Sequence, residues 1–111
     1  MKQNKVFLQH ILDEIIFLEK ETKKIDTASF FKNELLKRAC ARSLEVIGEA
    51  VKNLSDEFTA QHDDIEWKKL AGLRDKIIHF YFGVNWDIVW DVIKSKLPEV
   101  KEKIEKILEV I

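Results

Sequence analysis

Apolar residues recur along this chain at helical intervals. Leu8, Ile11, Ile15 and Leu18 are spaced by three and four residues with Glu and Lys between them, which predicts an amphipathic helix over roughly residues 4 to 23. Thr27 or Ser29 is placed to cap a second helix, in which Cys40, Leu44, Ile47, Val51 and Leu54 keep the same rhythm to about residue 54. Leu35, Ala39, Val46 and Ala50 flank that stripe, so this long helix is expected to pack on more than one side and to occupy the middle of the domain. Ser55-Asp56 and Gln61-His62-Asp63-Asp64 bracket a loop in which Glu57 to Ala60 can add a helical turn.

A third helix is expected from about Ile65 through Trp67, Leu70, Leu73 and Ile77, ended by Gly83-Val84-Asn85. Asn85 or Asp87 can cap a fourth, carrying Ile88, Val89, Val92 and Ile93. Pro98 suits the first turn of a fifth, with Val100, Ile104, Ile107 and Leu108. The predicted architecture is all-α: one domain over residues 1–111, an up-and-down bundle of four main helices plus a shorter one in the C-terminal half.

Composition narrows the class. With 3 Gly and 1 Pro in 111 residues, the turn punctuation of an all-β fold is missing, while 46% hydrophobic and 35% charged residues suit a soluble helical domain. The 19 Lys and Arg against 20 Asp and Glu give a net charge of -1, with both signs scattered. A basic stripe of the kind that drives non-specific nucleic-acid binding is absent, so any RNA contact must come from a local cleft or from two chains brought together. The lone Cys40 has no internal disulfide partner and reads as a buried thiol in a reducing cytoplasm. The start, Met1 to Leu8, does not read as a signal peptide, and no segment is apolar for long enough to span a bilayer.

The chemistry concentrates between Leu73 and Gly83, where Arg74, His79 and Tyr81 fall within eight residues. Arginine offers a permanently charged planar fork that matches phosphate, and histidine moves protons near neutral pH. On one continuous helix Arg74 and Tyr81 share a stripe, whereas His79 lies about 140° from Arg74. Convergence of Arg74 and His79 therefore needs the helix to end or distort near His79, or a twofold dimer to bring both copies of the segment to a common groove. On the long helix, Arg38, Arg42, Glu45 and Glu49 share a face. They are either surface ion pairs, or a polar wall opposite the Arg74 segment or within a subunit contact. Gly48, mid-helix, costs up to about 1 kcal/mol relative to alanine, and the usual return is close approach of another helix.

Other features carry less. His62-Asp63-Asp64 lacks partners at ligand spacing, so no metal is assigned and no cofactor is called for. Trp67, Trp86 and Trp90, with Phe80 and Phe82, are more simply core or dimer contacts than base-stacking platforms. His10 falls on the polar side of the first helix.

The segment Arg74-Asp75-Lys76-Ile77-Ile78-His79-Phe80-Tyr81 resembles the Arg, four residues, His, one residue, Tyr motif of the HepT family of HEPN-domain toxins. Arg42 to Ala50 resembles that family's long-helix signature, and Ile65 to Leu73, Tyr81 to Asn85 and Val89-Trp90 match in order and spacing. The resemblance implies a HEPN-like helical homodimer acting as a metal-independent endoribonuclease toxin, paired with a minimal nucleotidyltransferase antitoxin of the MntA type. It implies Arg74 and His79 as catalytic residues at a dimer cleft, Asp75 as a supporting residue, and Tyr81 as the site at which the antitoxin attaches AMP. Cleavage would then use the 2′-hydroxyl of the RNA substrate itself. The rival expectation is a non-catalytic HEPN module that binds a nucleotide or a nucleotidyltransferase partner, for which Arg74 and His79 would serve equally well as a phosphate-binding pair.

Overall fold

A computed structural model of the chain describes residues 2–79 and 83–111. Helix α1 (Lys2–Thr22) is followed by α2 (Thr27–Lys32), α3 (Glu34–Lys52), α4 (Asp56–Gln61), α5 (Trp67–Ala71) and α6 (Leu73–Ile77). Two residues each of β1 (Ile78–His79) and β2 (Gly83–Val84) pair antiparallel, and α7 (Trp86–Asp91), a π-helical turn (Val92–Lys96) and α8 (Leu97–Val110) complete the chain. The fold is the expected all-α bundle, with that minimal strand pairing as its one addition among the described residues. No helix among them is long and apolar enough to cross a membrane.

The predicted stripes form the core. Leu8, Ile11, Ile15 and Leu18 of α1 and Cys40, Leu44, Ile47 and Val51 of α3 are all buried, and Val89, Val92, Leu97, Ile104 and Ile107 close the bundle from the C-terminal side. Helix α3 is central, packed against α1, α2, α5, α6 and α7. Of its flanks, Ala50 is buried, Ala39 and Val46 are half-buried, and Leu35 stands in solvent.

Polar ties fix the antiparallel α1/α3 pair. Ser43 Oγ donates to Glu14 Oε1 at 2.7 Å in the middle of the two helices. At their far end the buried Asn4 side chain accepts from the Ser55 backbone N–H at 3.1 Å and donates to Ser55 Oγ at 3.2 Å. Lys94 reaches the last turn of α1, donating to the Thr22 carbonyl at 2.7 Å, a favourable place for a cation beside orphan carbonyls.

Five of the expected helix boundaries change. The long second helix is broken at Asn33, whose side chain accepts from the Leu36 N–H and so starts α3 afresh. The third begins at Trp67, whose indole donates to the His62 carbonyl at 2.8 Å, and is divided at Gly72 into α5 and α6. It then stops at Ile77 instead of running to Gly83. The fourth and fifth helices are joined through the π turn. Pro98, lacking an N–H, leaves a gap in the i→i−4 ladder, and the turn ahead of it widens so that the Leu97 N–H reaches the Val92 carbonyl.

Candidate functional site

Helix α6 carries the centre of the candidate site, and Gly48 sets where α6 lies. A Cβ at position 48 would stand 3.1 Å from the Leu70 carbonyl oxygen and 3.3 Å from that of Ala71, so only glycine lets the end of α5 come this close to α3. Glu45, one turn before Gly48 on the same face of α3, is thereby brought beside α6. Glu45 Oε2 lies 3.7 Å from Arg74 Nε and 3.7 Å from Arg42 Nη1, so one carboxylate oxygen serves both guanidinium groups. Its side chain is only 24% exposed, against 64% for Arg74.

At 3.7 Å these are ion pairs rather than hydrogen bonds. Arg74 is held in place electrostatically, and among the described residues no acceptor occupies its fork, which therefore faces solvent with donors to spare for a phosphate. Of the polar residues on the face of α3, Arg42 and Glu45 are thus the two tied to the Arg74 side. Glu49 and Arg38 do not join them: Glu49 pairs with Lys52 at 3.5 Å and Arg38 approaches Glu34 at 4.0 Å. Asp75 is exposed on the outer face of α6.

Beyond α6 the backbone turns into a hairpin. Ile78 pairs with Val84 and His79 with Gly83, and the Asn85 N–H closes the base by donating to the Ile77 carbonyl at 2.6 Å. Gly83 has φ +76°, in the left-handed region that glycine enters without strain. The Asn85 side chain then accepts from the Ile88 N–H and starts α7.

The early end of α6 corrects the helical reading of the motif. Because α6 ends at Ile77 and Ile78–His79 are extended, the 140° helical offset between Arg74 and His79 does not apply. A helix ending just before His79 is one of the two arrangements under which the pair can converge. Tyr81 lies outside the described residues, as does the direction of the His79 side chain, and with them the meeting of guanidinium and imidazole.

The remaining candidates resolve simply. Trp67 is buried against Phe58, and Trp90 is half-buried at 4.6 Å from the Phe30 ring. Trp86 takes the Lys37 ammonium 5.1 Å from its ring centre, and Lys37 is also paired with Glu34 at 2.8 Å, which accounts for a lysine this deeply buried. Sequence reasoning passed over Lys37; nothing in its spacing sets it apart from the solvated lysines. Burial pushes the Cys40 thiol up to about 11, the behaviour of an inert core cysteine. Among the described residues no group of three or more His, Cys, Asp or Glu is arranged to hold a metal ion, and His62 stacks on Phe58 at 4.6 Å.

The family described as HepT-like, ribonuclease HepT-like, matches residues 11–107, which takes in α3, α6 and the hairpin. The chain belongs to the HepT-like ribonuclease family. Among its relatives, a provisionally named RNase of Caldanaerobacter subterraneus subsp. tengcongensis is 48% identical over 109 residues, covering 98% of this chain and 97% of that protein. A provisionally named RNase of Methanocaldococcus jannaschii is 41% identical over 108 residues, covering 97% and 89%. A protein of Thermococcus cleftensis named "Probable ribonuclease HepT" is 37% identical over 106 residues, covering 96% of each. No solved structure matches the chain.

Proposed function

We propose that this HepT-like chain is the toxin of a toxin–antitoxin pair: a cytoplasmic, homodimeric endoribonuclease that needs no metal, in which Arg74 and His79 carry RNA cleavage. The observation that carries the reading is the placement of Arg74. It sits on an open flank beside Glu45, with no hydrogen-bond acceptor on its guanidinium among the described residues, on a helix that ends two residues before His79.

In this reading the substrate 2′-hydroxyl attacks the adjacent phosphorus, its proton is taken by a base, and the 5′-oxygen of the next nucleotide leaves with a proton from an acid. The product ends in a 2′,3′-cyclic phosphate. His79 serves as base or acid, a role worth about 10²- to 10⁴-fold in rate. Arg74 stabilises the charge that builds on the phosphorane, and Asp75 orients one of the two. The dimer is supported by the open stripe of α3 on which Leu35, Ala39, Arg42 and Val46 recur, beside Arg74. An MntA-type nucleotidyltransferase partner would silence the enzyme by attaching AMP to Tyr81. The adduct, two residues past His79 in sequence, brings a phosphate that competes with RNA for Arg74.

The test is product chemistry. Purified protein in excess EDTA is expected to cut RNA to fragments ending in 2′,3′-cyclic phosphate and to spare strands that carry 2′-deoxyribose at the scissile position. Equal cutting of the deoxy-substituted strand contradicts the mechanism. The net charge of -1 favours a second reading, a HEPN-like module that binds a nucleotide or its nucleotidyltransferase partner and cuts nothing. That module would bind the probe and leave RNA whole.

A further inference from the structure

On the side of α6 away from Glu45, a groove of about 300 Å³ runs between α5/α6 and the π turn with the head of α8. Leu70, Leu73 and Val92 form its apolar floor, and Lys69, Lys76, Lys96 and Lys103 stand along its rim. Two of these lysines are already matched: Lys69 pairs with Glu66 at 2.8 Å, and Lys103 pairs with Glu99 at 3.0 Å while donating to the Asp64 carbonyl. Lys76 and Lys96 are exposed and make no ion pair among the described residues. The groove is a local excess of positive charge, four lysines against Asp64, Glu66 and Glu99, on a chain whose net charge is -1.

The π turn that Pro98 induces shapes one wall of this groove, sending Val92, Ser95 and Lys96 into its lining. The groove also adjoins the candidate site. Arg74 and Lys76 are two residues apart on α6, about 200° around its axis. A strand passing from the guanidinium on one flank of α6 to the lysines on the other therefore crosses the exposed Asp75 between them, with the cations on both flanks outnumbering that carboxylate.

We propose that this groove carries the phosphate backbone of single-stranded RNA next to the cleaved bond, with Lys76 and Lys96 contacting phosphates and Ser95 offering a hydroxyl donor. The proposal rests on the ribonuclease reading above and names where its substrate lies. Lysine suits a phosphate track because it acts as a mobile point charge, and the apolar floor accepts the face of a base or sugar. A cleft at the small end of the usual 300–1,000 Å³ range takes one strand and not a duplex, whose recognition needs a broad surface.

The test compares Lys76→Gln/Lys96→Gln with Lys20→Gln/Lys106→Gln, which removes the same charge from exposed positions outside the groove. The probe is a short single-stranded 2′-O-methyl RNA, which has no free 2′-hydroxyl, followed by fluorescence anisotropy across a salt series; cleavage of the unmodified strand is measured in parallel. The groove variant is expected to bind at least about tenfold more weakly at low salt, with the slope of log K against log salt shallower by about 1.4, or 0.7 per lost phosphate contact. The control is expected to track wild type. Equal affinity and slope in the groove variant, with wild-type cleavage intact, overturns the groove and leaves the ribonuclease standing. Loss of binding in the groove variant alone, from a wild type that cuts nothing, supports the groove and overturns the nuclease. No binding of the probe by wild type overturns the groove outright.

Discussion

Substituting Gly48 by alanine puts the α3/α5 contact, and through it the placement of Arg74, directly under load. The new methyl would meet two backbone carbonyls, Leu70 O at 3.1 Å and Ala71 O at 3.3 Å. Neither is the end of a flexible side chain, so the helices must separate by a few tenths of an ångström. Alanine recovers up to about 1 kcal/mol of helix propensity, while overpacking a tight contact costs about 1–3 kcal/mol. The expected net loss is roughly 1 kcal/mol, which lowers Tm by about 4 °C in a domain of this size. The effect on cleavage should exceed the effect on folding. At 25 °C such a variant is still almost wholly folded, but α6 begins immediately after Gly72 and moves with the end of α5. Since 1 Å of misplacement can cost about 100-fold, a shift of a few tenths should cost about threefold to tenfold. The assay pairs a thermal melt with RNA cleavage at 25 °C, and Gly72→Ala serves as the control. There the nearest carbonyl is Lys68 O at an ordinary 3.4 Å and φ is -88°, so stability should hold within about 0.5 kcal/mol. A Gly48→Ala protein as stable as wild type or more so, and fully active, refutes the argument that this close approach positions Arg74.

Three further outcomes follow from the same geometry. Glu45→Gln keeps the shape and removes the charge that steers Arg74; because both arginines are mostly exposed, stability should change by less than about 1 kcal/mol while cleavage falls about threefold to tenfold. A lower Tm with unchanged cleavage would contradict it. Gly83→Ala has open space for the methyl but forces φ +76° on an L residue, so it should cost about 1–2 kcal/mol by chemical denaturation; no loss would mean that the hairpin turn is not held in that conformation. Burial raises the Cys40 thiol from 9.0 to about 11, so its share of stability is fully present below pH 9 and is lost as pH rises from there through 11, where the unfolded chain ionises first. Denaturation midpoints at pH 8 and pH 10.5 should differ for wild type more than for Cys40→Ala, and equal differences would show that the thiol does not titrate this way.

The buried stripes of α1 and α3 were legible because helical period and burial agree there: Leu8, Ile11, Ile15 and Leu18 on one side, Cys40, Leu44, Ile47 and Val51 on the other. Gly48 was legible for a similar reason, since a glycine in mid-helix has few uses other than close approach. The breaks were harder to read. Asn33 is a good N-cap, yet apolar residues continue on both sides of it and concealed the boundary. The end of α6 was written in the run Ile77-Ile78-His79-Phe80-Tyr81-Phe82-Gly83, β-branched and aromatic residues followed by glycine, which favours extended pairing over helix. Extending the helix through it carried the helical reading past Ile77, where α6 stops. Arg74 and Glu45 were both singled out, but their pairing depends on how α6 lies across α3, a tertiary fact that spacing within either helix does not contain. The lysine groove escaped the sequence for the same reason: Lys76 and Lys96 are twenty residues apart and come to line one groove only through the tertiary fold.

The measurement that bears most directly on the central claim is metal-free RNA cleavage by wild type, Arg74→Ala and His79→Ala, each shown by melting to be folded as wild type. The account predicts that each substitution slows cleavage at least about 100-fold with the fold intact. Undiminished cleavage by either variant would contradict it.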